Sequence, residues 1–174
     1  MFPDMYEVAI SNLGHRILYD ILNRKEDMLC DRTYAPASDL VNLLIENNIP
    51  LYGVDLFLPL KDYDVLAVSL LYELSYPTIL KMFELGGISI KSEDRTEDEP
   101  IILGGGVCTY NPEPMKEFFD VFSVGDGEES TLKIFEKIKE LKKTGKPRKD
   151  ILEELSKMDG VYVPSVFKKY PKIV

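Results

Sequence analysis

"ILGGGVCTYNPEP", residues 102–114, is the stretch on which the reading of the fold turns. Together with Pro100 and Ile101 it opens as a buried apolar strand, "PIILGG" over 100–105. Gly104, Gly105 and Gly106 stand where that strand stops, and Asn111 with two prolines makes the turn that follows. A glycine inside a strand costs roughly 0.5–1 kcal/mol relative to alanine. A run of them at a strand tip implies either a backbone turning with positive φ or something large lying against it.

Outward from this stretch, short apolar runs alternate with amphipathic ones. "YEVAIS" (6–11), "MLCDRTYA" (28–35), "YDVLAVS" (63–69), "DVFSVG" (120–125) and "GVYVPSVF" (160–167) read as strands. "IPLYGVDLFLPL" (49–60) reads as a strand or hairpin piece, and 88–100 opens with a short strand before an exposed acidic loop. Helical spacing is expected over 12–27, over 39–48 with Ser38 as its N-cap, and over 113–119, 128–143 and 150–158. Another helix is expected over 76–87, opened by Pro77 and closed by Gly86 and Gly87. Strands alternating with helices predict an α/β fold whose parallel sheet is covered on both faces. Residues 1–145 form the α/β domain in this reading, and 146–174 a short C-terminal helix and strand appendage.

The composition narrows the partners. The 174 residues carry a net charge of −9, with 30 acids against 21 bases, so a nucleic-acid partner is not expected. The basic cluster of Lys142, Lys143, Lys146, Arg148 and Lys149 reads as a solvated helix end. Cys30 and Cys108 are the only cysteines, which suggests a reducing, cytoplasmic setting and leaves no CxxC from which thiolates could build a metal site. No apolar run approaches the ~20 residues needed to cross a bilayer, and no signal peptide is visible, so no membrane partner is expected.

In open α/β sheets, ligands bind outside the carboxyl ends of the strands. Those ends are "SNLG" (11–14), "SLLYE" (69–73), Gly104 with Gly105 and Gly106, and "GDGEE" (125–129). None carries a dinucleotide GxGxxG, since Thr109 and Ser130 stand where the last glycine belongs, and no P-loop run exists. The first and third tips are Ser11 and Ser69, where a phosphoacceptor receiver would need aspartates. A serine nucleophile would need a histidine base, and His15, the single histidine, reads as a surface residue of the first helix. Two readings remain. A large ligand lies along the rim, hydrogen-bonded by serine hydroxyls, with its tail passing over the glycines. Alternatively the glycines make turns only, and Glu128 and Glu129 favour a helix N-terminus.

Taken together, "FPDMYEVAISNLG", "SLLYELSYPTILKMFELGGI", "LGGGVCTYNPEPMKEFFDVFSVGDGEES" and "MDGVYVP" resemble the cobalamin-binding-like domain at the front of B12-type radical SAM proteins. The resemblance covers almost the whole chain and implies a doubly wound, five-stranded parallel sheet of the Rossmann-like, flavodoxin-like kind. It implies that Ser69, Leu70 and Leu71 match an S-x-L element, Gly104 and Gly105 a pair of glycines, and Gly125, Asp126, Gly127 and Glu128 a G-E-G-E element. The cofactor-binding residues expected on this basis are Ser11, Asn12, Gly14, Ser69, Leu71, Tyr72, Gly104, Gly105, Gly106, Gly125, Asp126, Gly127 and Glu128. No catalytic or metal-binding residue is expected within the chain.

Two departures shape the expectation. The family's D-x-H-x-x-G, whose histidine ligates cobalt, is missing from "SNLGHRIL", so a corrinoid would be held without a protein histidine. The C-x-x-x-C-x-x-C run that holds a [4Fe–4S] cluster is also missing, so the cluster and S-adenosylmethionine would belong to a radical SAM catalytic domain of the same polypeptide. That domain follows the "GVYVP" segment in the family, so the chain is expected to be a fragment trimmed at both ends, without turnover of its own. The expected function is a corrinoid-holding accessory domain of a radical SAM enzyme. The alternative is a vestigial, ligand-free scaffold, with the aromatics near "LLYELSY" as interdomain or subunit contacts. A flavin mononucleotide carrier is disfavoured because strand one lacks a Ser/Thr-rich phosphate loop. A homo-oligomer stays open.

Overall fold

A computed structural model of the chain describes residues 1–167. Its centre is a four-stranded sheet in the order β1-β2-β3-β4. β1 (Val65–Ser69) and β2 (Ile101–Gly105) are parallel, as are β2 and β3 (Val121–Ser123), while β4 (Val161–Tyr162) runs antiparallel to β3. Every residue of β3, and all of β2 except Gly105, is buried, as a sheet covered on both faces requires.

Side chains alternate between two helical layers. Leu66, Val68, Ile102 and Phe122 face one layer, packed with Phe119 and with Ile79, Met82 and Phe83 of helix α4 (Tyr76–Leu85). Ile101, Leu103 and Val121 face the other, against Ile134, Ile138 and Leu141 of α5 (Gly127–Lys143) and Ile151, Leu152 and Leu155 of α6 (Arg148–Leu155). In α5 the buried residues recur every three or four positions, the spacing of one helical stripe. Its first turn is acidic and its last basic, which suits the helix dipole.

Before the sheet come α1 (Tyr6–Ala9), α2 (Leu13–Asn23) and α3 (Ser38–Glu46). The Asn12 side chain caps α2 by accepting the His15 N–H, and α2 packs beside α5. Among the described residues, no helix is long and apolar enough to cross a membrane.

Several elements differ from expectation. Residues 6–11 are the short helix α1 and a turn: Ala9 alone of its residues is buried, and the Met5 carbonyl receives the Ala9 N–H. The free edge of β1 is met earlier in the chain, where Met1 donates to the Ala67 carbonyl and Ser69 donates back to Met1. Phe2 then makes one parallel bridge with Tyr34, all that remains of the strand expected over 28–35. The 49–60 hairpin reduces to a bridge between Tyr52 and Pro59, and the strand opening 88–100 does not form. The helix expected over 113–119 is a single 3₁₀ turn, Glu113–Met115, and Ser38 is the first residue of α3, not its cap.

The sheet therefore has four strands where five parallel ones were expected. The last is antiparallel because two helices precede it: α5 leads the chain away from the strand tips and α6 leads it back. β4 thus enters at the tip end, where Val124 donates to the Gly160 carbonyl. At the opposite end a buried ion cluster holds the layers together. Asp120 Oδ2 accepts from Arg95 Nη1 (3.0 Å), Arg148 Nη2 (2.7 Å) and the Ile102 N–H (2.7 Å). Arg148 lies in the first turn of α6, so the basic cluster expected to be only a solvated helix end has one member inside the protein.

Candidate functional site

The strand register builds the site. Ser69 pairs with Gly105, and Gly105 with Ser123, so a hydroxyl, a bare backbone and a hydroxyl form one row across the strand tips. By the two-residue period of a strand, this row shares the face of Ala67, Leu103 and Val121. A cleft of about 340 Å³ opens over it, between the sheet and helices α2 and α5. Its walls are largely apolar, with Ile17, Leu18 and Leu22 from α2 and Phe135 from α5.

The three consecutive glycines have three different reasons. A Cβ on Gly104 would lie 2.8 Å from Leu70 Cδ1 and 3.0 Å from the rings of Phe119 and Phe122, so this glycine permits close packing in the core. A Cβ on Gly105 would meet nothing within 4 Å, because it would project into the cleft. Gly106 has φ +120°, and a Cβ there would strike the Leu70 carbonyl oxygen at 2.7 Å. The positive-φ turn expected from the glycine run thus occurs at Gly106, and one residue earlier the backbone is open to the cleft.

Asn12, Gly14, Ser69, Leu71, Gly105, Gly106, Gly125, Asp126, Gly127 and Glu128 all line the cleft. Gly125, like Gly105, leaves open space, at φ +107°. Three expected residues lie elsewhere. Gly104 faces the opposite layer. Ser11 is exposed and donates to the Val8 carbonyl at 3.0 Å, because the first strand on which it was to end is a helix. The Tyr72 hydroxyl turns outward toward Asp4, at 3.4 Å. Within the row, the Ser123 and Ser130 hydroxyls are 2.9 Å apart, and Ser130 donates to the Asp126 carbonyl, so Ser123 is the donor between them.

The structure adds residues that the strand tips did not indicate. His15 lines the cleft, stacked on Phe2 with ring centroids 5.4 Å apart, and is not the surface residue expected. Burial lowers its pKa to about 4, helped by the positive charges of the Met1 amino group and Arg32, so the imidazole is neutral. Residues 30–33 form another wall. Asp31 accepts hydrogen bonds from the Tyr63 hydroxyl and from the Asp55 (2.9 Å) and Leu56 (3.0 Å) amides. Gly53 is required here, since a Cβ would fall 2.1 Å from Asp31 Oδ2. Burial and the Asp31 carboxylate raise the Tyr63 pKa. Arg32 pairs with Asp55 through Nε (3.0 Å) and Nη2 (2.8 Å) and lies over the Tyr19 ring at 4.4 Å. The helical spacing of α2 made its inner face visible in the sequence. Residues 30–33 have no such pattern, because a loop's position follows from what it packs against.

Chemically, the cleft offers shape and a few hydroxyls. Among the described residues, no group of three or more His, Cys, Asp or Glu side chains could hold a metal ion. Burial raises the pKa of Cys30, which lines the cleft, so its thiol stays protonated.

Comparison with known proteins gives the family of the chain. The family described as "Radical SAM proteins, N-terminal" matches residues 14–164. An uncharacterized protein of Methanocaldococcus jannaschii is 26% identical over 131 residues, which are 75% of this chain and 24% of that relative. The chain thus spans about a quarter of the length of the curated relative it matches. No solved structure matches it. With the family description covering nearly all of the sheet and its helices, the chain belongs to the N-terminal family of radical SAM proteins.

Proposed function

We propose that this chain is an accessory domain of a radical SAM protein and that it holds a corrinoid along the strand tips, with the corrinoid's tail in the cleft. The observation that carries the reading is the row Ser69, Gly105 and Ser123, open above the backbone. The fit rests on three features. The side-chain position above Gly105 is vacant, so a flat group can lie on the sheet. The walls from α2 and α5 are apolar, which suits a ring that leaves water. Ser69 at the edge of the row and the Ser123–Ser130 pair supply hydroxyls that can meet polar atoms along one edge.

A bound corrinoid would supply a cobalt centre able to carry an alkyl group. The residues of this chain would bind and orient it and exclude water from its tail. His15 is engaged in the stack with Phe2 and stands off the D-x-H-x-x-G position, so the corrinoid would be held without a protein histidine. S-adenosylmethionine and a [4Fe–4S] cluster would be held by a radical SAM catalytic domain of the same polypeptide. By itself the chain would have no turnover, and the reducing, cytoplasmic setting read from its cysteines accords with such an enzyme.

One observation favours the scaffold reading as a second function of the same rim. Leu74 is 87% exposed, Val107 61% and Tyr110 59%, all just beyond strand tips. Such side chains suit a contact with the catalytic domain. The test is direct: the purified chain is mixed with hydroxocobalamin and passed through a gel-filtration column. Corrinoid absorbance travelling with the protein supports the reading, and protein that emerges colourless leaves only the scaffold role.

A further inference from the structure

The outer edge of β1 faces a gap that is one strand wide. At its upper end the gap is filled: Met1 exchanges backbone hydrogen bonds with Ala67 and Ser69 on one side, and Phe2 donates to the Thr33 carbonyl on the other. Below Met1 the gap continues between β1 and residues 30–33, and Val65, Ala67, Cys30, Asp31 and Thr33 all line the same cavity.

The backbone groups facing this lower part lack partners. Ser69 donates outward to Met1 and Leu70 donates toward β2, so by strand alternation Val65 and Ala67 also point outward. The Ala67 N–H and Val65 C=O have no hydrogen-bond partner among the described residues, and neither does the Thr33 N–H. The Thr33 side-chain hydroxyl is also buried and unpartnered. Buried backbone groups are ordinarily satisfied; Thr33 is buried and Val65 and Ala67 are half-buried, so unpaired groups on both sides of this space describe a strand position.

We infer that this part of the cavity is the seat of a β-strand, and that its occupant is an extended, apolar peptide segment joined to the amino end of Met1 and running parallel to β1. Direction and register follow from the rungs already made. The first residue before Met1 would donate to the Asp31 carbonyl and accept from the Thr33 N–H. The second would donate to the Val65 carbonyl and accept from the Ala67 N–H. A separate peptide is the poorer occupant, because Met1 already blocks the upper end of its path. The Met1 amino group is buried at the head of this seat, and burial lowers its pKa to about 6. An amide there would carry no charge to desolvate. The seat and the row of Ser69, Gly105 and Ser123 open into the same cavity, and a strand in the seat would leave the face of the row toward α5 free.

The experiment compares the chain with a version carrying Val-Val before Met1, and with a third carrying Pro-Pro, which has no N–H to donate. Amide hydrogen exchange is followed by NMR in the absence of any ligand. The Val-Val extension is expected to slow exchange at Ala67 and Thr33 by at least about tenfold and to raise the thermal midpoint, while Pro-Pro, which keeps its carbonyls but loses the rungs to the Asp31 and Val65 carbonyls, raises the midpoint less. A five-residue valine-rich extension is measured alongside, against precipitation of the short one. Unchanged exchange at both amides in the valine extensions, an equal rise of the thermal midpoint with Pro-Pro, or failure of both valine extensions to fold would overturn the inference.

Discussion

Gly104 and Gly105 are neighbours in one strand, and the structure assigns them opposite tolerances. In Gly104→Ala the new methyl would meet Leu70 at 2.8 Å and the rings of Phe119 and Phe122 at 3.0 Å. Those three side chains are almost wholly buried, so none can swing aside. Overpacking of this kind costs roughly 1–3 kcal/mol, against a gain of roughly 0.5–1 kcal/mol from replacing a strand glycine. A net loss of about 1–2 kcal/mol lowers the thermal midpoint by roughly 2–8 °C in a domain of this size. In Gly105→Ala the methyl meets nothing, so only the gain remains and the midpoint rises by about 1–4 °C. Gly105→Leu keeps the fold and fills the cleft, so hydroxocobalamin binding should fall at least tenfold, about 1.4 kcal/mol. Differential scanning calorimetry reads the first two variants, and a spectroscopic titration reads the third. Equal midpoints for Gly104→Ala and Gly105→Ala would refute the assignment of faces. Wild-type corrinoid affinity in Gly105→Leu would refute the cleft as its seat.

Further consequences are open to measurement. Asp120→Ala leaves two buried guanidinium groups and the Ile102 N–H without their shared acceptor, and should cost about 3–5 kcal/mol in urea unfolding. Asp120→Asn keeps an oxygen acceptor and should cost less. His15 has a folded-state pKa near 4 against an ordinary value of 6.5, so the unfolded chain binds the proton more readily. Its contribution is therefore complete above pH 6.5 and is lost as the pH falls from there toward 4. The full shift would correspond to about 3 kcal/mol, and partial exposure of the ring reduces this to about 1–2 kcal/mol. His15→Phe should flatten the stability profile between those pH values, and an unchanged slope in the variant would assign the acid loss to other groups.

The central architecture and one rim of the site were legible in the residues alone. Continuous apolar runs at 63–69, 100–105 and 120–125 can be stable only as strands covered on both faces, and α4 and α5 follow from their 3.6-residue stripes. Strand period and parallel register then carry Ser69, Gly105 and Ser123 into one row, because a pleated strand leaves no other choice of face. The rest depends on contacts that form only when the chain has folded. Residues 6–11 have the alternation of a strand but meet no strand on which to pair, and they coil into α1. Gly104 is identical to Gly105 in the sequence, and only the presence of Phe119 and Phe122 behind it makes it a packing residue. His15 and residues 30–33 join the cleft because α2 lies along α5 and because Asp31 gathers Tyr63 and the Asp55 and Leu56 amides around itself. Such contacts link positions far apart in the chain, and no local period records them.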